Sequence, residues 1–210
     1  AELKGISVGG GVVKIGAMVK HADVAANADV KKAIPALADL AGGIGDRQVR
    51  NMGTIGGSLA NSDPSACYPA AALGLGATVH TNKRNIAADQ FFLGLYETAL
   101  EPGEIITAVS FPVPEKAAYV KFKNSASRFA LVGVFVSKGS QGVRVAVTVA
   151  ASCAFRASDL EKALSGNWSA SACGGVKVSA ENLNSDLHAS AEYRAHLIPV
   201  LTGRAVAAAK

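Results

Sequence analysis

Residues 51–71 read NMGTIGGSLANSDPSACYPAA, and they place two consecutive glycines, Gly56 and Gly57, in a polar, proline-broken stretch between two apolar segments. Two residues without a Cβ permit one of two things at such a point. Either the chain turns tightly against another backbone, or successive N–H groups line a concavity that a bulky anion can approach. On the glycine pair alone the tight turn is the commoner outcome. The flanks weigh towards a ligand: residues 42–50, GGIGDRQVR, bring charge to the same place, Thr54 and Ser58 add hydroxyl donors, and residues 61–64, NSDP, keep the exit polar.

The rest of the chain sets the frame for that loop. With 210 residues, 50% of them hydrophobic but only 6% aromatic, the core is built from small side chains and closely approaching backbones, in one large domain or two small ones. No apolar run reaches the roughly 18 residues of a membrane-spanning helix, and no leader opens the chain, so a cytoplasmic protein is expected. Cys67, Cys153 and Cys173 lack the spacing of a zinc or iron-sulfur site and are expected as reduced thiols. The formal charge of +5 is scattered, without a basic stripe interleaved with aromatics, which argues against a nucleic-acid surface. The chain begins at Ala1 and enters structured sequence at once, as a processed chain or a fragment would.

Hydrophobic patterning gives an α+β fold. Residues 6–18 read as a hairpin around Gly9, Gly10 and Gly11, residues 22–41 as two helices punctuated by Pro35, and residues 66–77 as a further helix. Short strands follow at 77–81 and 85–88, and the alternation of EIITAVSFPV marks a strand over 104–113. Composition changes after Pro114. Strands at 119–122, 130–136 and 143–149, the last two joined by the turn KGSQG, form a three-stranded antiparallel sheet. Ser158 with Glu161 three residues on has the capping-box pattern, and a helix over 189–209 is interrupted by Pro199. The division falls near Lys116, giving units 1–115 and 117–210.

Catalytic motifs are few. There is no GxSxG elbow, no GxxxxGK[ST] and no GxGxxG with its acidic partner. His21, where a strand hands over to a helix, reads as a capping or solvated residue, with a cofactor contact as the rarer reading. His80, His188 and His196 read as surface residues.

Taken in order, QVRNMGTIGGSLANSDP, the alanine-rich helix after it, EIITAVSFP and FKNSASR closely resemble the medium, FAD-binding subunit of the molybdenum hydroxylases, the xanthine dehydrogenase and aerobic carbon monoxide dehydrogenase family. The similarity runs from about Leu3 to Gly166. It implies a second FAD-binding subdomain followed by the family's carboxy-terminal domain. It also implies an oxidoreductase subunit that passes electrons from the 2Fe-2S clusters of a small subunit through FAD to an external acceptor. A large subunit carries the molybdenum cofactor, and the assembly is a dimer of heterotrimers. By the same resemblance Thr54, Ile55, Gly56, Gly57 and Ser58 meet the pyrophosphate or its surroundings, Ile44 packs by the flavin or adenine, and Ile106 and Lys123 are further FAD contacts. Cys67 stands where the family often has an acid that bonds a sugar or ribityl hydroxyl, and that contact is expected to be weakened or taken over by Asp63. The family's other glycine-rich loop, AGGxxL-like, has no match in residues 1–210, so the chain reads as truncated at its amino end, with weakened or absent FAD. Two alternatives stand beside this reading: an assembly module that no longer holds FAD, and a flavin oxidase of the vanillyl-alcohol oxidase superfamily, against which FKNSASR speaks.

Overall fold

A computed structural model describes residues 2–124 and 129–210. The first half carries a five-stranded antiparallel sheet in the order β1 (Ile6–Gly9), β2 (Val12–Gly16), β7 (Ile106–Pro112), β3 (Thr78–Thr81) and β4 (Asn85–Ala87). The expected hairpin is there: Gly10 and Gly11 turn at φ of 58° and 74°, values that cost a Cβ-bearing residue dearly. Between β2 and β3 the chain folds into α1 (His21–Ala26), α2 (Ala28–Ala33), α3 (Pro35–Gly42), α4 (Arg47–Met52), α5 (Ile55–Asn61) and α6 (Tyr68–Gly74). In place of the two helices expected before residue 42, three form. Asn27 restarts the helix by accepting a hydrogen bond from the Val30 N–H at 2.9 Å, a local bond that competes with continuation of α1. A small hairpin of β5 (Phe92–Gly94) and β6 (Glu97–Thr98) links β4 to β7.

The second sheet runs β11 (Phe155–Arg156), β10 (Gly142–Thr148), β9 (Ala130–Gly139), β8 (Lys116–Lys123). Its three long strands are those expected, and the two-residue β11 adds a fourth at the edge. α7 (Ser158–Gly166) and α8 (Ala191–Ala208) follow. The expected capping box of α7 does not form. Ser158 is the first helical residue rather than the cap, and the Glu161 carboxylate instead accepts from the Val145 N–H at 2.9 Å and from Arg156 at 2.8 and 2.7 Å. Pro199 does not interrupt α8 either. Buried Leu197, Ile198, Leu201, Ala205 and Val206 press its inner face onto the sheet, and this packing offsets the one helical hydrogen bond that proline removes.

β9 is buried along almost its whole length because both faces of the second sheet are covered. Val132, Val134 and Val136 face α8, whereas Phe135 belongs to the first core. There α6 is held between the sheets. A Cβ on Gly74 would lie 2.6 Å from Phe135 Cδ1. The carbonyls at the end of the helix are taken by the second sheet: Leu73 O accepts from Arg144 Nε at 2.7 Å and Gly74 O from Ser137 Oγ at 2.6 Å. No helix among the described residues is long and apolar enough to cross a membrane.

Two outcomes follow from this packing. Gly74→Ala forces a methyl into Phe135 and is expected to cost about 1–3 kcal/mol in thermal or chemical unfolding. The second concerns Glu104, ahead of β7, whose carboxylate receives Arg84 at 3.1 and 3.2 Å, Thr81 Oγ1 at 2.7 Å and the Glu101 N–H at 2.9 Å. The Arg84 hydrogen bond first, then those from Glu101 and Thr81, hold its pKa down from 4.5 to about 2. The unfolded chain therefore binds the extra proton between those values. The stabilisation is complete above pH 4.5 and disappears as the pH falls through 2. A melting-temperature series over that range should fall for the wild type and flatten in Glu104→Gln.

Candidate functional site

TIGGS is not a loop but the start of α5. Thr54 caps the helix, its Oγ1 accepting from the Gly57 N–H at 3.2 Å, and it is fixed in place by a bridge to Lys20. The expectation that successive N–H groups face one concavity holds only in part. The Ile55 and Gly56 amides donate to Val19 O and Ala17 O at 3.0 and 2.9 Å, which sews the helix start to the segment after β2. The two glycines consequently do different work. A Cβ on Gly56 would lie 2.5 Å from Ala17 Cβ and 2.8 Å from Ala17 O, so this glycine serves close packing. A Cβ on Gly57 would meet only Thr54 Oγ1, at 3.1 Å, and its other side opens onto a cavity.

That cavity has a volume of about 580 Å³ and lies between α1, the 44–53 segment, the start of α5, the 61–67 segment and β8. Of the residues expected from the sequence, Ile44, Thr54, Gly57, Ser58, Asp63 and Cys67 line it. Ile55 is fully buried in the core beneath it, and Gly56 packs on Ala17. Ile106 opens β7 opposite Thr81 and lies in the first core, and Lys123 is exposed at the end of β8; neither lines the cavity. Residues 125–128, the second half of FKNSASR, fall outside the described residues.

Two of the three charged residues of the GGIGDRQVR segment serve its own folding. Arg50 Nη1 donates to Ile44 O and Gly45 O at 2.9 and 3.1 Å, and Asp46 caps α4 by accepting from the Val49 N–H at 2.9 Å. Gly45 sits at φ 47°, which lets this rim turn sharply. Asp63 Oδ1 accepts from the Ser65 N–H at 2.8 Å, and its carboxylate borders the cavity as an acceptor.

Two ionisable lining residues are not among the site residues expected from the sequence. His21, which reads as a cap or a solvated residue, is only 4% exposed. Its amide donates to Gly53 O at 3.0 Å, its ring lies 5.2 Å from that of Tyr68, and its Nδ1 has no partner among the described residues. Burial holds its pKa down at about 4, so the imidazole is neutral at neutral pH. Lys121 is the second. Its Nζ donates to Gly43 O at 2.7 Å and lies 3.6 Å from Cys67 Sγ. The signal for it is the alternation of AAYVKFK, which puts Lys121 on the same face of β8 as Ala117 and Tyr119, the face that meets the first core. Behind Cys67 the Tyr68 and Tyr119 hydroxyls are buried, and burial above all, with Cys67 beside them, pushes both well above the ordinary phenol range.

A larger groove of about 800 Å³ runs between α8 and residues 174–180, and none of the site residues expected from the sequence lines it. Among the described residues no group of three His, Cys, Asp or Glu side chains is placed to hold a metal ion.

Comparison with known proteins identifies the family of the chain. A family model described as the FAD binding domain in molybdopterin dehydrogenase matches residues 1–114. The glyceraldehyde dehydrogenase medium chain of Sulfolobus acidocaldarius is 34% identical over 92% of this chain and 74% of its own length. The carbon monoxide dehydrogenase medium chain of Afipia carboxidovorans is 34% identical over 100% of this chain and 78% of its own. Among solved structures, carbon monoxide dehydrogenase from Hydrogenophaga pseudoflava superposes with a TM-score of 0.83 at 31% identity, over 99% of this chain and 78% of that one. Quinoline 2-oxidoreductase from Pseudomonas putida 86 gives 0.85 at 29% identity over 99% and 78%. With a matching family model over more than half its length and these relatives, the chain belongs to the FAD-binding medium subunits of the molybdenum hydroxylases, oxidoreductase components that take FAD as cofactor.

Proposed function

We propose that this subunit transfers electrons, holding FAD between the 2Fe-2S clusters of a small subunit and an external acceptor, beside a large subunit with the molybdenum cofactor, in a dimer of heterotrimers. The observation that carries the reading is the open side of Gly57 on the 580 Å³ cavity. A phosphate can approach the backbone there, with the hydroxyls of Thr54 and Ser58 on either side. Asp63 offers a carboxylate acceptor to a sugar hydroxyl, and Ile44 gives the cavity an apolar wall for a ring. These residues fit a dinucleotide. In this reading residues 1–115 supply the FAD wall, and residues 117–210 brace it through β8 and through the hold of β9 and β10 on α6.

Bound FAD supplies one- and two-electron redox chemistry at its isoalloxazine ring. The chain's own work is binding, orientation and exclusion of water. His21 is neutral and closed in by Tyr68, and the buried Tyr68 and Tyr119 phenols behind the Cys67 wall stay protonated, so none of these three offers the cavity a titrating acid or base near neutral pH. Electron transfer needs none.

A second reading, an assembly module without FAD, is favoured by one observation: Cys67 lines the cavity where the family often has an acid, and a thiol is a poor acceptor. The absorption spectrum of the purified protein separates the two. Flavin bands near one equivalent, as isolated or after adding FAD, are expected for the electron-transfer subunit, and their absence in excess FAD selects the assembly module. The two glycines extend the test. Gly57→Val should lose FAD at least about tenfold while melting near the wild type, because its branched side chain enters the cavity. Gly56→Ala should instead destabilise the fold by about 1–3 kcal/mol. Equal FAD retention in Gly57→Val would mean that the start of α5 is only structural.

A further inference from the structure

Lys121 is a half-buried cation without an anionic partner. It makes no ion pair among the described residues, and its ammonium reaches only a neutral carbonyl, Gly43 O at 2.7 Å, and a thiol, Cys67 Sγ at 3.6 Å. An ammonium carries three donors, so one N–H is left over. A lysine taken partly out of water with no countercharge is costly to keep, and proteins seldom keep one that nothing neutralises. Of the other titratable groups lining this cavity, His21 is neutral and enclosed, Cys67 is the thiol already in contact, and Asp63 carries the negative charge but lies beyond ion-pair distance of Lys121. The geometry thus leaves a positive pole at β8 and a negative one at residue 63, separated across one space.

Resting on the FAD reading of this cavity, we propose that Lys121 is an anion-binding residue that gives its third N–H to an anionic group of the bound dinucleotide. That group is either the pyrophosphate or the electron-rich ring of the reduced cofactor. The strand itself holds Lys121 in position. Tyr119 on the same face stacks on Phe135 with ring centroids 6.3 Å apart, which fixes β8 against the first core and aims the next inward residue at Cys67. The resemblance in sequence points instead to Lys123, which is exposed and lies outside the cavity.

The test is FAD affinity and the midpoint potential of bound FAD in the wild type, Lys121→Met, Lys121→Arg and Lys123→Met. Methionine keeps the apolar stem and removes the charge. Loss of one charge-assisted hydrogen bond should weaken FAD by roughly 10- to 100-fold in Lys121→Met and flatten the dependence of affinity on salt. Lys121→Arg should recover most of the affinity, and Lys123→Met should stay within about twofold. ADP binding and the potential locate the anion. If Lys121 meets the pyrophosphate, ADP affinity falls by the same factor as FAD affinity. If it meets the ring, ADP affinity is unchanged and the potential drops by about 30 mV for each tenfold loss of preference for the reduced form. A merely structural lysine would lower the melting temperature without moving the salt dependence or the potential, and that result overturns the assignment. So does a larger loss of affinity at Lys123 than at Lys121. Failure of the wild type to bind either FAD or ADP overturns the cofactor reading itself and the assignment with it, an outcome distinct from a wild type that binds and a Lys121→Met that binds equally well.

Discussion

The Arg144 guanidinium, donating to the carbonyl of Leu73 at the end of α6, is the contact on which the rest of the architecture rests. All seven residues of that helix are buried, so its terminal carbonyls have no water to turn to. Leaving them unpaired would cost the desolvation of each. Arg144 and Ser137, on adjacent strands of the second sheet, satisfy both carbonyls. Arg144 is itself neutralised by Asp89 at 2.5 Å, and Asp89 is shared with Arg156, which Glu161 holds in turn. The charges at this junction therefore form a chain that runs from the first half of the protein to α7. Because the end of α6 is fixed against β9 and β10, its beginning at Cys67 is fixed against the neighbouring strand β8, and the cavity between them takes its shape.

This arrangement gives the cavity walls of unlike character. The α5 side presents backbone, hydroxyls and an open glycine; the α6 side presents a thiol backed by two buried phenols; the β8 side presents an ammonium. A dinucleotide has matching parts: phosphates that need donors, sugars that need acceptors and rings that need apolar contact. The protein's influence on a redox cofactor is exerted through such groups, by fixed charge and by exclusion of water, rather than by proton transfer.

Much of this was legible in the residues. The glycine run at residues 9–11 betrays the first hairpin, the alternation of ITAVSFP gives the central strand, and the ordered motifs identify the family. What escaped depends on contacts distant in sequence. Nothing local says that Gly56 packs on Ala17 while Gly57 faces open space, because Ala17 is brought there by β2. His21 resembles a helix-start residue in sequence and becomes a buried one only because Gly53 and Tyr68 close over it. Glu161 has the spacing of a capping box, yet Arg156 and the Val145 amide offer it stronger partners. Pro199 is a helix breaker by local rule and is overruled by the apolar face that α8 buries. Lys121 and Lys123 lie two residues apart on β8, on one face by alternation, and only the contacts of Lys121 with Gly43 O and Cys67 Sγ show which of them reaches the cavity.

The central claim is that the space between α5, α6 and β8 is where FAD sits, and the protein carries its own reporter for it. Cys67 lines that space, while Cys153 and Cys173 lie elsewhere and serve as internal references. The rate of alkylation of each thiol by a small reagent, followed by mass spectrometry with and without saturating FAD, tests the claim directly. FAD is expected to slow modification of Cys67 at least several-fold and to leave the other two unchanged. An equal rate at Cys67 in protein shown to be carrying FAD would place the cofactor somewhere else and contradict the account.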